Sequence, residues 1–230
     1  MGSFNTRCLI MVKAIVLLSG GLDSAVVLAL AKSKGCFCHT ITFDYQQNHR
    51  EELEAAVKIA AFYGVSNQII KIDSTGFNSS LTTSLSVPQA EDSATIIQKG
   101  ISNTYVPGRN TLFLSYALSY CEVFQAQEIH FGPNLLDKFC YPDCHPNYLA
   151  AFQQVMNYAT QQAVEGNPPR LVTPLLELDK VGIIRLGMDL KVPVDLTWSC
   201  YSPKDQRIPC NKCLACLLRN EAFEEINTSL

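Results

Sequence analysis

Ala14-Ile15-Val16-Leu17-Leu18-Ser19-Gly20-Gly21-Leu22-Asp23-Ser24 is the stretch that decides how this chain folds. Its first five residues are an unbroken apolar run, the pattern of a strand buried on both faces of a parallel sheet. Ala25-Val26-Val27-Leu28-Ala29-Leu30-Ala31-Lys32 follows and reads as a helix closed by Gly35. Between them, two glycines make a turn that aims backbone N–H groups at one point, with the positive end of the helix dipole behind them. A phosphate group is held in this way. Ser19 and Ser24 add hydroxyls, and Asp23 stands where a divalent cation would bridge to phosphates. No Gly-Lys-Ser/Thr follows the glycines, so this is not the usual P-loop. A plain Gly-Gly turn with Asp23 as a helix-start charge is the competing reading, and the strand–turn–helix setting favours the phosphate site.

Outward from this unit, strand and helix signals alternate. His39-Thr40-Ile41-Thr42-Phe43-Asp44 reads as a second strand, and a helical pattern with Leu53, Val57 and Ala60 or Ala61 on one face runs from about His49 to Tyr63. Residues 67–72 read as a third strand. From Ser74 to about Thr104 the chain is rich in serine and threonine with little periodicity, which predicts a long mobile excursion of the kind that covers a substrate. Further elements are predicted as a helix from Arg109 to about Ala126, a strand from Glu128 to Gly132, a long helix from Pro146 to Val164, and a strand near Leu171-Val172-Thr173. Strands separated by helices of this length imply an α/β fold with a Rossmann-like parallel sheet covered on both faces. Such sheets bind ligands beyond the carboxyl ends of their strands, where Ser19 to Ser24 lies. The chain divides into an N-terminal extension (1–11), an α/β nucleotide-binding domain (12–197) and a small C-terminal metal-binding segment (198–230).

Of the 230 residues, 47% are hydrophobic and 17% charged, with a net charge of −3. This balance describes an ordinary globule and offers no basic face to a nucleic-acid backbone, so a small-molecule substrate is expected and direct nucleic-acid binding is not. No apolar run approaches a membrane span, and none near the start is long enough for a secretory leader. The ten cysteines therefore read as reduced thiols in a cytoplasmic protein rather than as a disulfide framework.

Four of those cysteines gather near the end. Cys200, Cys210, Cys213 and Cys216 are separated by nine, two and two residues, a spacing that lets four thiolates converge on one ion. Four protein ligands leave no open position, so the site is expected to hold structural zinc and to supply folding energy to a stretch poor in apolar residues. An iron–sulfur cluster is the rival, because Cys210 to Cys216 echoes a ferredoxin-like run. One isolated cluster would lack a redox partner here. A short terminal helix around Arg219 and Glu221-Ala222-Phe223 is expected beside the knot. The other six cysteines read as packing residues.

Ser19-Gly20-Gly21-Leu22-Asp23-Ser24 resembles the PP-loop of the adenine-nucleotide α-hydrolase group, in which SGGxDS grips the pyrophosphate of ATP. Taken with the four-cysteine knot, the chain resembles the 7-cyano-7-deazaguanine synthase family of queuosine precursor synthesis. Segments between the two carry the same likeness. Thr42-Phe43-Asp44-Tyr45-Gln46-Gln47-Asn48-His49 resembles that family's T-F-x-Y-x-Q-R-H, and Val106-Pro107-Gly108-Arg109-Asn110-Thr111 its V-P-x-R-N-x. Gly132-Pro133-Asn134 through Asp137 and then Tyr141-Pro142-Asp143-Cys144 resemble G-x-N-x-x-D and Y-P-D-C. Thr197-Trp198-Ser199-Cys200-Tyr201 matches the lead-in to the first metal cysteine. The likeness spans residues 12 to 225. Asn48 and His145 depart from arginines of the family pattern, Asn211 replaces a glycine, and the Cys200–Cys210 loop is longer than the pattern.

The resemblance implies an ATP-dependent ligase, acting as a homodimer, that converts 7-carboxy-7-deazaguanine and ammonia into the nitrile. ATP contact is expected along Leu18, Ser19, Gly20, Gly21, Leu22, Asp23, Ser24, Ala25, Val26, Val27 and Leu28, with Mg²⁺ at Asp23. Asp23, Ser24 and Arg109 are the expected catalytic residues, and Asp137, Asp143 and His49 the expected substrate contacts. Zn²⁺ is expected on the four cysteines. No segment remains for a glutaminase, so free ammonia is the expected nitrogen donor. Two other readings compete. A tRNA-thiolating PP-loop enzyme is disfavoured by the acidic balance, and a non-enzymatic zinc or nucleotide-binding module by the intact Asp23 and glycines.

Overall fold

The structure, a computed structural model, describes residues 11–98, 103–204 and 208–228, so residues 1–10 of the expected N-terminal extension lie outside the described residues. Five strands are described: β1 (Lys13–Leu17), β2 (Phe37–Asp44), β3 (Ser66–Lys71), β4 (Glu128–His130) and β5 (Arg170–Val172). They form one parallel sheet in the order β3-β2-β1-β4-β5. The helices are α1 (Leu22–Ser33), α2 (Glu51–Phe62), α3 (Ser93–Ile97), α4 (Arg109–Phe124), α5 (Asp137–Cys140), α6 (Pro146–Met156), α7 (Gln161–Val164), α8 (Lys180–Asp189) and α9 (Leu214–Thr228). No described helix is long and apolar enough to cross a membrane.

The apolar run of β1 is central and covered on both sides, as its sequence requires. Ala14, Val16 and Leu18 pack with Val26 and Leu28 of α1, Ile59 of α2, and Ile183 and Ile184 of α8. Ile15 and Leu17 face the other way, against Leu114 and Leu118 of α4 and Phe152 and Met156 of α6. The chain builds β1, β2 and β3 in one direction and then returns to place β4 on the other side of β1. That reversal opens a crevice outside the carboxyl ends of β1 and β4, the usual ligand position in open α/β sheets.

Several elements differ from the sequence expectation. The long helix predicted for 146–164 ends at Met156, because the Thr160 hydroxyl accepts from the Ala163 N–H at 3.1 Å and starts a separate short helix. Helix α8 gave no clear signal because Gly182 and Gly187 interrupt its pattern. Gly187 lies where a Cβ would come within 3.1 Å of the Val26 side chain, so its smallness serves helix packing. Asp179 caps this helix through the Gly182 N–H at 2.8 Å. The terminal helix is longer than expected and sends Ala222 and Ile226 into the core beside α8.

The serine-rich excursion is fastened rather than loose over its described part. Ser79 and Ser80 are fully buried, and both hydroxyls donate to the Asn103 carbonyl. Farther along, the Ala90 N–H donates to the Lys212 carbonyl, and Ser93 donates to Glu221 of α9 through its N–H and its hydroxyl.

Gly20 shows how closely the loop after β1 is seated. Its φ is +93°, and a Cβ there would lie 2.0 Å from the Glu52 carbonyl oxygen of α2. Gly35 shares the positive φ, at +78°, but has nothing within 4 Å. Gly20→Ala is therefore expected to lose about 1–3 kcal/mol from backbone strain and more from displacing α2. Gly35→Ala should lose the strain alone. Urea denaturation of the two variants side by side checks the difference.

Candidate active site

Helix α1 begins at Leu22 with Gly21 at its N-cap and no side chain capping it, so the first-turn N–H groups remain available to a ligand. The loop before it is held by its own hydroxyls. The Ser24 hydroxyl donates to the Gly21 carbonyl at 2.9 Å and lies 3.1 Å from that of Ser19, which accepts from the Gly21 N–H at 3.2 Å. Leu18, Ser19, Gly21, Leu22, Asp23 and Ser24 line a cavity in the crevice. Ala25, Val26, Val27 and Leu28 of the expected ATP stretch are completely buried in the core and do not line it, and Gly20 is turned against α2.

Asp23 is the most heavily engaged residue of the loop. Lys180, the first residue of α8, donates to both carboxylate oxygens at 2.6 and 2.8 Å. Asn134 Nδ2 donates to one of them at 2.9 Å. The Asn134 side-chain oxygen in turn accepts from the Leu136 and Asp137 N–H groups, while its own N–H donates to the Asp137 carboxylate at 3.1 Å. The Gly132-Pro133-Asn134 turn after β4 therefore fastens Asp23 and Asp137 to one another. Burial and then the neighbouring Asp23 charge push Asp137 up to about 6, against the opposing pull of Lys180. Lys180 had no signal in the sequence reading, because the helix that carries it was not recognised.

Arg109, at the start of α4, reaches the same cavity from the opposite wall. Its Nη1 donates to the Tyr45 hydroxyl at 3.2 Å, and its guanidinium lies 5.4 Å from the Tyr45 ring and 5.6 Å from that of Phe113. Arg109 Nε is buried with no partner, which leaves a donor for a ligand. Asp137 lines the cavity as well, but Asp143 and His49 do not. Asp143 is buried beneath the wall, and its carboxylate accepts from the Asn110 N–H and side-chain amide at 3.0 and 3.1 Å. It positions the first turn of α4, and so Arg109. His49 is buried beside Glu52, with Nε2 3.5 Å from the Glu52 carboxylate, and it lines a neighbouring groove instead.

The four C-terminal cysteines do converge. Their sulfurs all lie within 4.8 Å of one another and all four residues are buried. Backbone N–H groups point at them: Ser202 and Cys210 donate to the Cys200 sulfur, Lys212 and Cys213 to that of Cys210, and Tyr201 to that of Cys213. Hydrogen bonds from Cys200 and Cys216 push the Cys213 thiol far down, and the same bonds push those two thiols up. Asn211 takes a left-handed φ of +60°, the conformation that glycine supplies in the family pattern. Four soft donors with N–H support fit a closed, tetrahedral metal site. The knot touches the crevice directly, since the Trp198 N–H donates to the Gly20 carbonyl at 2.9 Å and the Trp198 indole to the Cys200 carbonyl at 3.0 Å.

A parallel α/β sheet carries an uncapped glycine loop at its switch point, in one cavity with Arg109 and beside the four-cysteine knot, the arrangement of an α/β enzyme site. A sequence model of the family described as "Queuosine biosynthesis protein QueC" matches residues 13–227, and the chain belongs to that family. The 7-cyano-7-deazaguanine synthase of Thermosynechococcus vestitus is 50% identical over 217 residues, covering 93% of this chain and 92% of that protein. That of Pseudomonas paraeruginosa is 45% identical over 214 residues, covering 92% and 93%. Among solved structures, NMN synthetase from Francisella tularensis is similar at a TM-score of 0.47 and 20% identity, covering 87% of this chain and 71% of that one.

The raised Asp137 has a measurable consequence. The folded state holds its proton more tightly than the unfolded chain, so its contribution to stability is present at low pH and is lost as pH rises from about 3.8 through about 6. Asp137→Asn, which can still accept from the Asn134 N–H, is expected to raise the Tm of the ligand-free protein at pH 7 and to leave it unchanged at pH 4. Thermal melts at the two pH values check this.

Proposed function

We propose that this chain is a 7-cyano-7-deazaguanine synthase: it uses ATP to convert 7-carboxy-7-deazaguanine and ammonia into the nitrile. The observation that carries this reading is the single cavity in which the uncapped start of α1, Arg109 and Asp137 face one another, in a chain closely similar to enzymes of that name.

A carboxylate does not react with ammonia directly, because oxide is too poor a leaving group. One substrate oxygen attacks the α-phosphorus of ATP, pyrophosphate leaves, and the carboxyl becomes an acyl adenylate. Ammonia then adds to the carbonyl carbon, AMP departs and the amide forms. A second ATP activates the amide oxygen in the same way, and the nitrogen gives up both of its protons as the C–O bond to AMP breaks, leaving the nitrile. The protein's part is alignment and neutralisation of charge. The N–H groups from Gly21 to Asp23 and the Ser19 and Ser24 hydroxyls hold the departing pyrophosphate. Arg109, free at Nε, faces the oxyanion that forms when ammonia adds. Asp137 accepts from the amino and ring N–H groups of the deazaguanine.

Asp23 is the carboxylate that would hold Mg²⁺, and that cation would supply neutralisation of the pyrophosphate. In the structure Lys180 neutralises the Asp23 carboxylate and places its ammonium beside the loop. Cys200, Cys210, Cys213 and Cys216 would hold zinc, which would stabilise the segment that braces Gly20.

Incubation with the carboxylate, ammonium and MgATP is expected to yield the amide and then the nitrile by mass spectrometry. Asp23→Asn should fold normally by circular dichroism yet lose about 100-fold or more in turnover. Full activity in that variant would defeat the assigned role of the loop. Elemental analysis should find about one zinc per chain. Cys213→Ser should lose the metal and melt earlier, and iron in place of zinc would favour a cluster.

A further inference from the structure

Beside the main cavity lies a second opening, between the serine-rich excursion and the chain after Cys200. Asn48, His49, Glu51, Thr83, Tyr201 and Ser202 are among its walls. Its described lining offers hydroxyls, amides and a carboxylate, with no lysine or arginine, so it suits a small cation rather than a phosphate or a carboxylate. Two atoms here are buried and unpartnered: Nδ1 of His49, a residue 3% exposed, and one carboxylate oxygen of Glu51. Buried polar atoms in native proteins are almost always paired, so this pair marks a place for a ligand that donates N–H.

His49 also stands on a boundary. It lines the groove, whereas Glu52, whose carboxylate is 3.5 Å from His49 Nε2, lines the main cavity. Gln47 donates to the other Glu52 oxygen at 2.7 Å and fixes that carboxylate in position. Tyr201 lines both openings, with its ring centroid 5.8 Å from that of His49. A histidine with a carboxylate 3.5 Å from one nitrogen and no partner on the other is placed to act as a general base.

We propose that the groove binds ammonium and that His49, backed by Glu52, takes its proton. Near neutral pH ammonia is almost wholly ammonium, which has no lone pair to attack with. One N–H bond breaks, its electron pair stays on nitrogen, and the proton passes to His49 Nδ1. Glu52 stabilises the resulting imidazolium through Nε2–H, neutral ammonia moves past Tyr201 into the main cavity, and His49 returns the proton to water in the groove. The inference rests on the synthase reading above and names the site of its second substrate.

The test compares wild type with His49→Gln. The variant is expected to lose about 100-fold in kcat/KM for ammonium, with the KM values for ATP and the deazaguanine carboxylate unchanged. Hydroxylamine is uncharged near pH 7 and needs no base, so hydroxamate formation should proceed equally in both proteins. Glu51→Gln, which alters the groove alone, should raise the ammonium KM several-fold and serves if His49→Gln does not fold. An unchanged ammonium KM in the variants, or an equal loss with ammonium and hydroxylamine, overturns the proposal. Wild-type protein that forms neither amide nor nitrile overturns the synthase reading and this inference with it, whereas an active wild type beside an unaltered variant overturns the inference alone.

Discussion

The two hydrogen bonds from Lys180 to Asp23 are the contact on which the crevice depends. They join the loop after β1 to the start of α8, and Asn134 adds the turn after β4 to the same carboxylate. The Lys180 and Asp23 side chains are only 18% and 21% exposed, so each charge is partly removed from water and depends on its partner. Breaking such a pair leaves an uncompensated charge, which costs more than the pair itself contributes. The crevice is thereby held in shape, with the Lys180 ammonium beside the loop. It presents an environment oriented for negative charge, which is the condition for electrostatic stabilisation without reorganisation.

The four-thiol knot lies outside the crevice but acts on its geometry. Trp198 carries the connection, with its backbone N–H on Gly20 and its indole on the Cys200 carbonyl. Arg219 of α9 adds a second tie by donating to the Thr197 and Ser199 hydroxyls and the Val194 carbonyl while reaching the cavity itself. Gly20 cannot shift toward α2, where Glu52 blocks it, nor away from Trp198 without losing a hydrogen bond. The glycine loop is therefore clamped between a helix and the four-cysteine segment, so the knot fixes the geometry of the crevice it adjoins.

Much of this was legible in the sequence because it rests on local signals. The apolar run at 14–18, the two glycines and the following apolar helix specify β1, the loop and α1 through periodicity and turn chemistry. Cysteine spacing identified the knot, and the convergence of the four sulfurs follows from it. What escaped was set by tertiary contact. Helix α8 is broken in pattern by Gly187, which is small because Val26 lies against it, so neither the helix nor Lys180 could be read from propensity. Asp143, an expected substrate contact, accepts from Asn110 at both oxygens, a pairing that the sequence does not display because it depends on where α4 is placed. The excursion looked unstructured because its order comes from hydroxyl-to-backbone bonds, which leave no periodic trace.

The strand order carries a consequence for how the molecule comes into being. β1, β2 and β3 are successive in the chain and adjacent in the sheet, whereas the chain passes back across them before β4 pairs with the other edge of β1. The contacts that complete the crevice, Asn134 and Lys180 with Asp23, span 111 and 157 residues. The entropic cost of closing a loop rises with its length, and contacts of high sequence separation slow folding. A nascent chain that has made only its first three strands thus possesses the glycine loop but no opposing wall. The crevice is completed only by contacts of long sequence separation, and the first three strands alone carry half of it.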